Sequence, residues 1–158
     1  MVMIFDFDNI FRGEYAHECI FLISVSLFFA ILFLQSGIDK IVSFSGNFTY
    51  FQDHFKNTFL KSRVKFLLIF ITLLECITGL LFFLSIIFFL RTGGDPLGIV
   101  IGLSYFYFPA LVFTFITLCS LFLGQRIVQD YVGAVNLGVY FLIALVAFAL
   151  PVLFLELA

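Results

Sequence analysis

A long apolar run from Val64 to Leu90 constrains the fold of this sequence more than any other feature. Its charged residues are Lys65, near the start, and Glu75, inside the run. At a rise of about 1.5 Å per residue, a helix of this length exceeds the roughly 30 Å hydrocarbon core of a bilayer. The run therefore predicts a membrane-spanning helix with a carboxyl group near the middle of the bilayer.

Burying that carboxyl group in a span is costly, on the order of 2.5–3.5 kcal/mol on insertion scales. Acidic residues inside spans almost always face protein or a wet cavity rather than lipid. Thr72, Glu75 and Gly79 are spaced by three and four residues, which places them on one helical face. We expect this face to be turned toward the other helices.

The composition of the whole chain is that of an integral membrane protein. Of its 158 residues, 63% are hydrophobic and 11% are charged, whereas soluble domains are about half apolar and about a quarter charged. The net charge of −2 gives no support for nucleic-acid binding. Four segments reach spanning length, at about residues 19–38, 64–90, 97–123 and 131–155. We predict an all-α fold in which residues 1–158 form a single transmembrane domain, an integral membrane four-helix bundle in the lipid bilayer.

Positive charges are unevenly divided between the connections. One side carries Lys40, Lys56, Lys61, Arg63, Lys65 and Arg126, and the other carries Arg12 and Arg91. Because basic residues concentrate on the cytoplasmic side, the first and third connections are predicted to be inside and both termini outside.

The first connection contains an aromatic stripe. Phe44, Phe48, Phe51, Phe55 and Phe59 follow one another at steps of four, three, four and four residues. This spacing predicts an amphipathic interfacial helix between the first and second spans, with Asn47 as its N-cap. The alternative is an ordered loop that packs its aromatic side chains.

The third span has three local signals. Asp95 followed by Pro96 is typical of a helix start. Gly98 and Gly102 form a small face suited to close helix packing, and Pro109 predicts a kink.

The first span is predicted to have two faces. One carries Ser26, Ala30, Phe33, Gly37 and Lys40, and the other carries Ser24, Ile31, Gln35 and Asp39. Glu75 is expected to be either protonated and hydrogen-bonded or paired with a counter-ion. The predicted counter-ion is Lys40, because its long stem can reach along the helix.

Polar residues of all four spans collect toward the predicted inner side. They are Gln35, Asp39, Lys40, Glu75, Arg126, Asp130 and Asn136. Such a cluster could be a structural network that satisfies Glu75, a ligand or quinone-headgroup site, or a proton path. No metal site is expected, because His17 at the outer end of the first span and His54 in the inner loop are a membrane thickness apart, and the three cysteines form no CxxC pair.

A series of motifs in residues 28–83 resembles the DoxX family of small four-helix membrane proteins. The order is S-G-x-x-K, an aromatic connection and E-x-x-small-G, and the matching positions are Gly37, Lys40, Glu75 and Gly79. The family takes its name from a subunit of a terminal quinol oxidase, and its relatives include proteins of thiosulfate:quinone oxidoreduction and MauE-type proteins. The resemblance implies the cytoplasmic (inner) membrane of a bacterium and partner subunits in a respiratory or quinone-linked complex.

We therefore expect an accessory subunit of a larger membrane complex, with no complete active site and no cofactor of its own. A second interpretation is an oxidoreductase component that binds a quinone or another small apolar molecule at Glu75 and Lys40. A third is an assembly or maturation factor.

The charge distribution makes a topological prediction. Reporters placed between Asn47 and Lys61 and after Ala158 should lie on opposite sides of the membrane, with the first in the cytoplasm. Protease or thiol-reagent access from the outside to the first reporter would contradict this orientation.

Overall fold

The computed structural model describes residues 13–157, and the side chains of residues 13–153. The helices are α1 (Ala16–Val42), α2 (Phe44–His54), α3 (Val64–Thr92), α4 (Pro96–Gly102), α5 (Phe108–Ile127) and α6 (Tyr131–Leu157). A short 3-10 turn, Lys61–Arg63, precedes α3, and a π-helical segment, Leu103–Tyr107, joins α4 to α5. No strand occurs in the part of the chain that is described. This confirms the all-α fold.

Four of these units are long and apolar enough to cross a bilayer. They are α1, the 3-10 turn together with α3, the continuous stretch from α4 to α5, and α6. They coincide with the four predicted spans, and the protein is an integral membrane protein by the length and composition of these helices. Among them, α6 is the least covered, with 17% of its most apolar stretch buried against 33% in each of the others.

The two predicted faces of α1 are confirmed. Ser26, Ala30, Phe33, Gly37 and Lys40 are all buried, and Ser24, Ile31, Gln35 and Asp39 are all exposed. The helical period alone separates these two sets, because every residue advances about 100° around the axis.

Close contact between α1 and α3 forms the centre of the bundle. A Cβ added to Gly79 would lie 2.6 Å from Leu34 Cγ and 2.8 Å from Leu34 N, and one added to Gly37 would lie 2.7 Å from Cys76 Sγ. Nearer the other end of the pair, Ser26 Oγ donates to Ser85 Oγ at 3.3 Å. The two glycines let the helix backbones approach closely enough for short side chains to meet.

Aromatic rings fill the space between this helix pair and the third span. Phe29 and Phe82 stack with centroids 5.1 Å apart, and Tyr107 meets Phe82 edge-on at 6.1 Å. Tyr107 is fully buried, and its hydroxyl donates to Ala147 O on α6 at 3.0 Å. The phenol thus buries its ring and satisfies its polar atom at the same time.

The third span begins as its sequence indicated. The Asp95 side chain accepts a hydrogen bond from Gly98 N at 2.7 Å, and Pro96 occupies the first helical turn. Gly98 and Gly102 pack against Thr92 and Phe89 of α3.

The predicted disturbance at Pro109 takes the form of the π-helical segment. Phe108 N donates a hydrogen bond to the carbonyl oxygen of Leu103, five residues earlier in the chain. Pro109 has no N–H to continue the α-helical pattern, and the wider π turn accommodates the interruption.

The first connection departs from its prediction in detail. The helix is present but starts at Phe44, so Asn47 lies inside it and donates to Ser43 O at 3.1 Å rather than capping it. It ends at His54, and Phe59 lies beyond it with 78% of its surface exposed. The prediction that Asn47 is the N-cap was wrong because α1 and α2 follow each other with almost no break.

The turn between α5 and α6 is compact. Asp130 N donates to Gln125 O at 2.9 Å and Gln129 N donates to Arg126 O at 3.2 Å, the bond pattern of a Schellman motif. Gln129 takes the left-handed conformation, with φ of 63°. Asp130 then caps α6 by accepting from Gly133 N at 2.9 Å.

The two ends of the bundle are marked by contacts between connections. Tyr15 N donates to Gly94 O at 3.3 Å at one end, and His54 Nε2 hydrogen-bonds Gln125 Oε1 at 3.2 Å at the other. The second end carries the basic connections. Arg12, which belongs to the charge count of the first end, lies outside the described residues. Pro151 lies inside α6, which continues to Leu157.

Replacing Gly79 tests the close approach of α1 and α3. Gly79→Ala should destabilise the bundle by about 1–3 kcal/mol, because the new methyl group overlaps the backbone of Leu34. Gly138→Ala is the matched control: a Cβ there has nothing within 4 Å, and the gain in helix propensity is the same. The measurement is the free energy of unfolding by SDS in mixed micelles. Equal effects of the two changes would contradict this packing.

Candidate functional site

A buried ion pair joins α1 to α3. Lys40 Nζ lies 3.0 Å from Glu75 Oε1 and 2.9 Å from Glu75 Oε2. The side chain of Glu75 is 2% exposed and that of Lys40 is 11% exposed. The predicted counter-ion of Glu75 is therefore confirmed.

Ser36 completes this site. Its hydroxyl donates to Glu75 Oε1 at 3.0 Å and accepts from Lys40 Nζ at 2.7 Å. Ser36 and Lys40 are four residues apart, so they stand one above the other on α1. We call Ser36, Lys40 and Glu75 the ion-pair site.

The donors of Lys40 are fully used within the protein. Its ammonium group donates to Ser36 O at 3.3 Å, to Ser36 Oγ and to Glu75 Oε1, and an ammonium group has three protons. No donor is left for a ligand. This arrangement favours a structural network over a headgroup site.

The two oxygens of Glu75 differ. Oε1 receives two hydrogen bonds, whereas Oε2 receives none of acceptable direction although it lies within ion-pair distance of Nζ. We attribute this to the position of Nζ between the two oxygens, which satisfies Oε2 by charge rather than by a directed bond. The pair remains electrically neutral, and this is what makes it tolerable in the bundle.

The seven-residue polar cluster does not assemble. Gln35 and Asp39 are exposed on the outer face of α1, and Asn136 is exposed on α6. The Arg126 guanidinium lies 4.7 Å from the ring centroid of Tyr131, and Asp130 caps α6. The cluster prediction is confirmed for Lys40 and Glu75 and wrong for the other five residues, because residues at the same depth still point in different directions around their helices.

The sequence analysis did not predict two features at the end of the bundle that carries the basic connections. Ser36 was not included in the cluster, although its spacing from Lys40 was a usable signal. A cavity between α2, α3 and α5, with His54 and Gln125 in its wall, depends on the packing of distant segments and leaves no local signal.

Among residues 13–153, no group of three His, Cys, Asp or Glu side chains is placed to hold a metal ion. His54 is hydrogen-bonded to Gln125 instead.

No protein-family model matches the sequence, and neither the curated proteins nor the solved structures include a match. The resemblance to the DoxX family therefore stays a prediction based on its short motifs.

A double-mutant cycle tests the ion-pair site. Glu75→Gln and Lys40→Met should each destabilise the bundle by about 3–5 kcal/mol, because each leaves an uncompensated buried charge. The double variant should recover much of this loss. The measurement is the free energy of unfolding in mixed micelles.

The control is the exposed pair of Lys56 and Asp53, which has the same 2.9 Å separation. Lys56→Met should cost less than about 1 kcal/mol, since both groups remain in water. Additive losses at Lys40 and Glu75 would show that the two charges do not depend on each other.

Proposed function

We propose that this protein is an accessory subunit of a larger membrane complex, and that the exposed face of α6 holds it there. The supporting observation is a stripe on α6, here called the α6 stripe. It consists of Val132, Asn136, Val139, Ile143 and Val146, all of them exposed.

The spacing of the α6 stripe is that of a helix-packing seam. Its members follow one another at four, three, four and three residues, the repeat of helices that pack along their length. Four of the five are β-branched residues, which suit such seams. Phe and Leu are absent from it, although they are abundant on the other exposed surfaces.

Asn136 is the most informative member. It lies five residues into α6, or about 7.5 Å below the helix start, and no hydrogen bond to its side chain occurs within the described residues. A polar side chain on the lipid-facing side of a span favours a partner helix that can share a hydrogen bond with it. A single Asn in an apolar seam also selects the register of the partner.

The ion-pair site agrees with a subunit that has a structural role. Its groups bind one another, and the close packing of α1 and α3 covers them. The respiratory or quinone-linked nature of the parent complex is the part of the proposal that depends on the resemblance to DoxX proteins.

Purification in mild detergent tests the accessory role. The expected result is a stoichiometric complex containing at least one subunit with a redox cofactor, identified by mass spectrometry and absorption spectra. A monomer, or an assembly made solely of copies of this chain, would overturn the proposal.

Substitution of Asn136 tests the stripe. Asn136→Leu should weaken assembly roughly 3- to 30-fold, the equivalent of one interhelical hydrogen bond in a membrane. Gln35→Leu is the matched control because it removes an exposed amide from the outer face of α1. Thermal unfolding of the isolated chain should be unchanged in both variants. Equal loss of assembly in the two would contradict a specific role for the α6 stripe.

A further inference from the structure

A partly open cavity of about 360 Å³ lies between α2, the connection that follows it, α3 and α5. This volume falls within the range of small-molecule sites. Its wall is largely apolar and includes Phe51, Phe55, Leu67, Ile71 and Leu121. An acyl chain from the bilayer would exchange contacts with lipid for close contacts with these side chains.

The polar atoms of the wall are concentrated toward one end. His54 and Gln125 hydrogen-bond each other there, at the level of the connections. Ser120 also lines the cavity, but its hydroxyl donates to Ile116 O on its own helix at 2.7 Å. Ile71 lies one helical turn before Glu75, deeper along the span. The cavity is therefore polar at the end beside the connections, here called its mouth, and apolar toward the middle of the span.

Basic residues adjoin, in sequence, the residues that line this mouth. Lys61 follows the lining residue Leu60, and the lining residue Val64 stands between Arg63 and Lys65. All three basic residues are exposed. In the described part of the chain none of these three cations has an acidic partner within 4 Å.

The nearby acidic groups are otherwise engaged. Asp53 pairs with Lys56 at 2.9 Å, and Asp130 caps α6. Arg126, between the lining residues Gln125 and Ile127, adds a fourth positive charge and rests over Tyr131. The segments that line the mouth therefore carry a net positive charge.

We propose that this cavity binds one acyl chain of an anionic phospholipid, with the lipid phosphate against the cations at the mouth. An acyl chain matches the apolar depth, and a phosphate complements Lys61, Arg63 and Lys65. Basic residues next to a span attract anionic lipid electrostatically. A neutral apolar molecule would offer no negative group to interact with these positive charges.

The site is separate from the proposed accessory function. It lies between α2, α3 and α5, whereas that function depends on the exposed face of α6. Either proposal can fail without the other.

Native mass spectrometry of the full chain tests the proposal with two probes that have identical acyl chains, phosphatidylglycerol and phosphatidylcholine. We expect one phosphatidylglycerol to bind to the wild-type protein and to raise its melting temperature, with clearly weaker binding of phosphatidylcholine. Equal binding of the two lipids, or no retained lipid, would overturn the proposal.

Two kinds of variant separate the headgroup from the chain. Lys61→Gln combined with Arg63→Gln should weaken phosphatidylglycerol binding about tenfold or more and leave phosphatidylcholine binding unchanged. Both residues are exposed, so the fold should not be affected. Leu121→Trp should fill the cavity and reduce the binding of both lipids.

Arg91→Gln is the matched control, since it removes a positive charge from the opposite end of the bundle. It should leave lipid binding unchanged. A loss caused equally by Arg91→Gln would show that total charge, and not this site, attracts the lipid, and would overturn the proposal. If Leu121→Trp does not fold, the double substitution at the mouth still decides the outcome.

Discussion

The cost of burying the Glu75 carboxylate in an apolar bundle governs the rest of this structure. An unpaired, ionised carboxylate at 2% exposure would be very costly, and here a cation and a hydroxyl lie against it. Lys40 and Ser36 supply both from α1. Gly37 and Gly79 allow α1 and α3 to approach closely enough for these groups to meet. The close pairing of α1 and α3 is therefore also what brings the compensating charge to Glu75.

The pairing of α1 and α3 leaves the other helices in unequal positions. Tyr107 connects the third span to α6 through a hydrogen bond to Ala147 O, and α6 is otherwise the least covered span. A bundle of four helices cannot surround every member, and the helix left at the edge presents the most surface to lipid or to a partner. The proposed contact with a partner subunit and the proposed lipid site therefore lie on different parts of the molecule. One uses the exposed side of α6, and the other uses the gap where α2 and its connection meet α3 and α5.

The sequence predictions that were confirmed depend mainly on interactions between residues close together in the sequence, and those that were wrong depend on contacts between distant segments. Helical periodicity separated the two faces of α1 correctly, and Asp95 with Pro96 marked the start of α4. These signals act within one or two turns of a helix. Asn47 failed as an N-cap because the preceding helix leads almost directly into α2, and the local sequence of Asn47 does not reveal this. Of the predicted polar cluster, Lys40 and Glu75 pair. The other five residues do not join them, because residues at the same depth of a span need not face each other.

By itself, the sequence determined that four apolar helices span a bilayer, which face of α1 is buried, and that Glu75 requires a partner. Hydrophobic length, period and the cost of a buried charge are properties of single segments, so no tertiary information was needed. Only the tertiary structure decided that Ser36 joins Lys40 at Glu75, that Asn136 faces outward, and that a cavity lies beside His54 and Gln125. These outcomes depend on how each helix rotates about its axis and on which distant segments pack together.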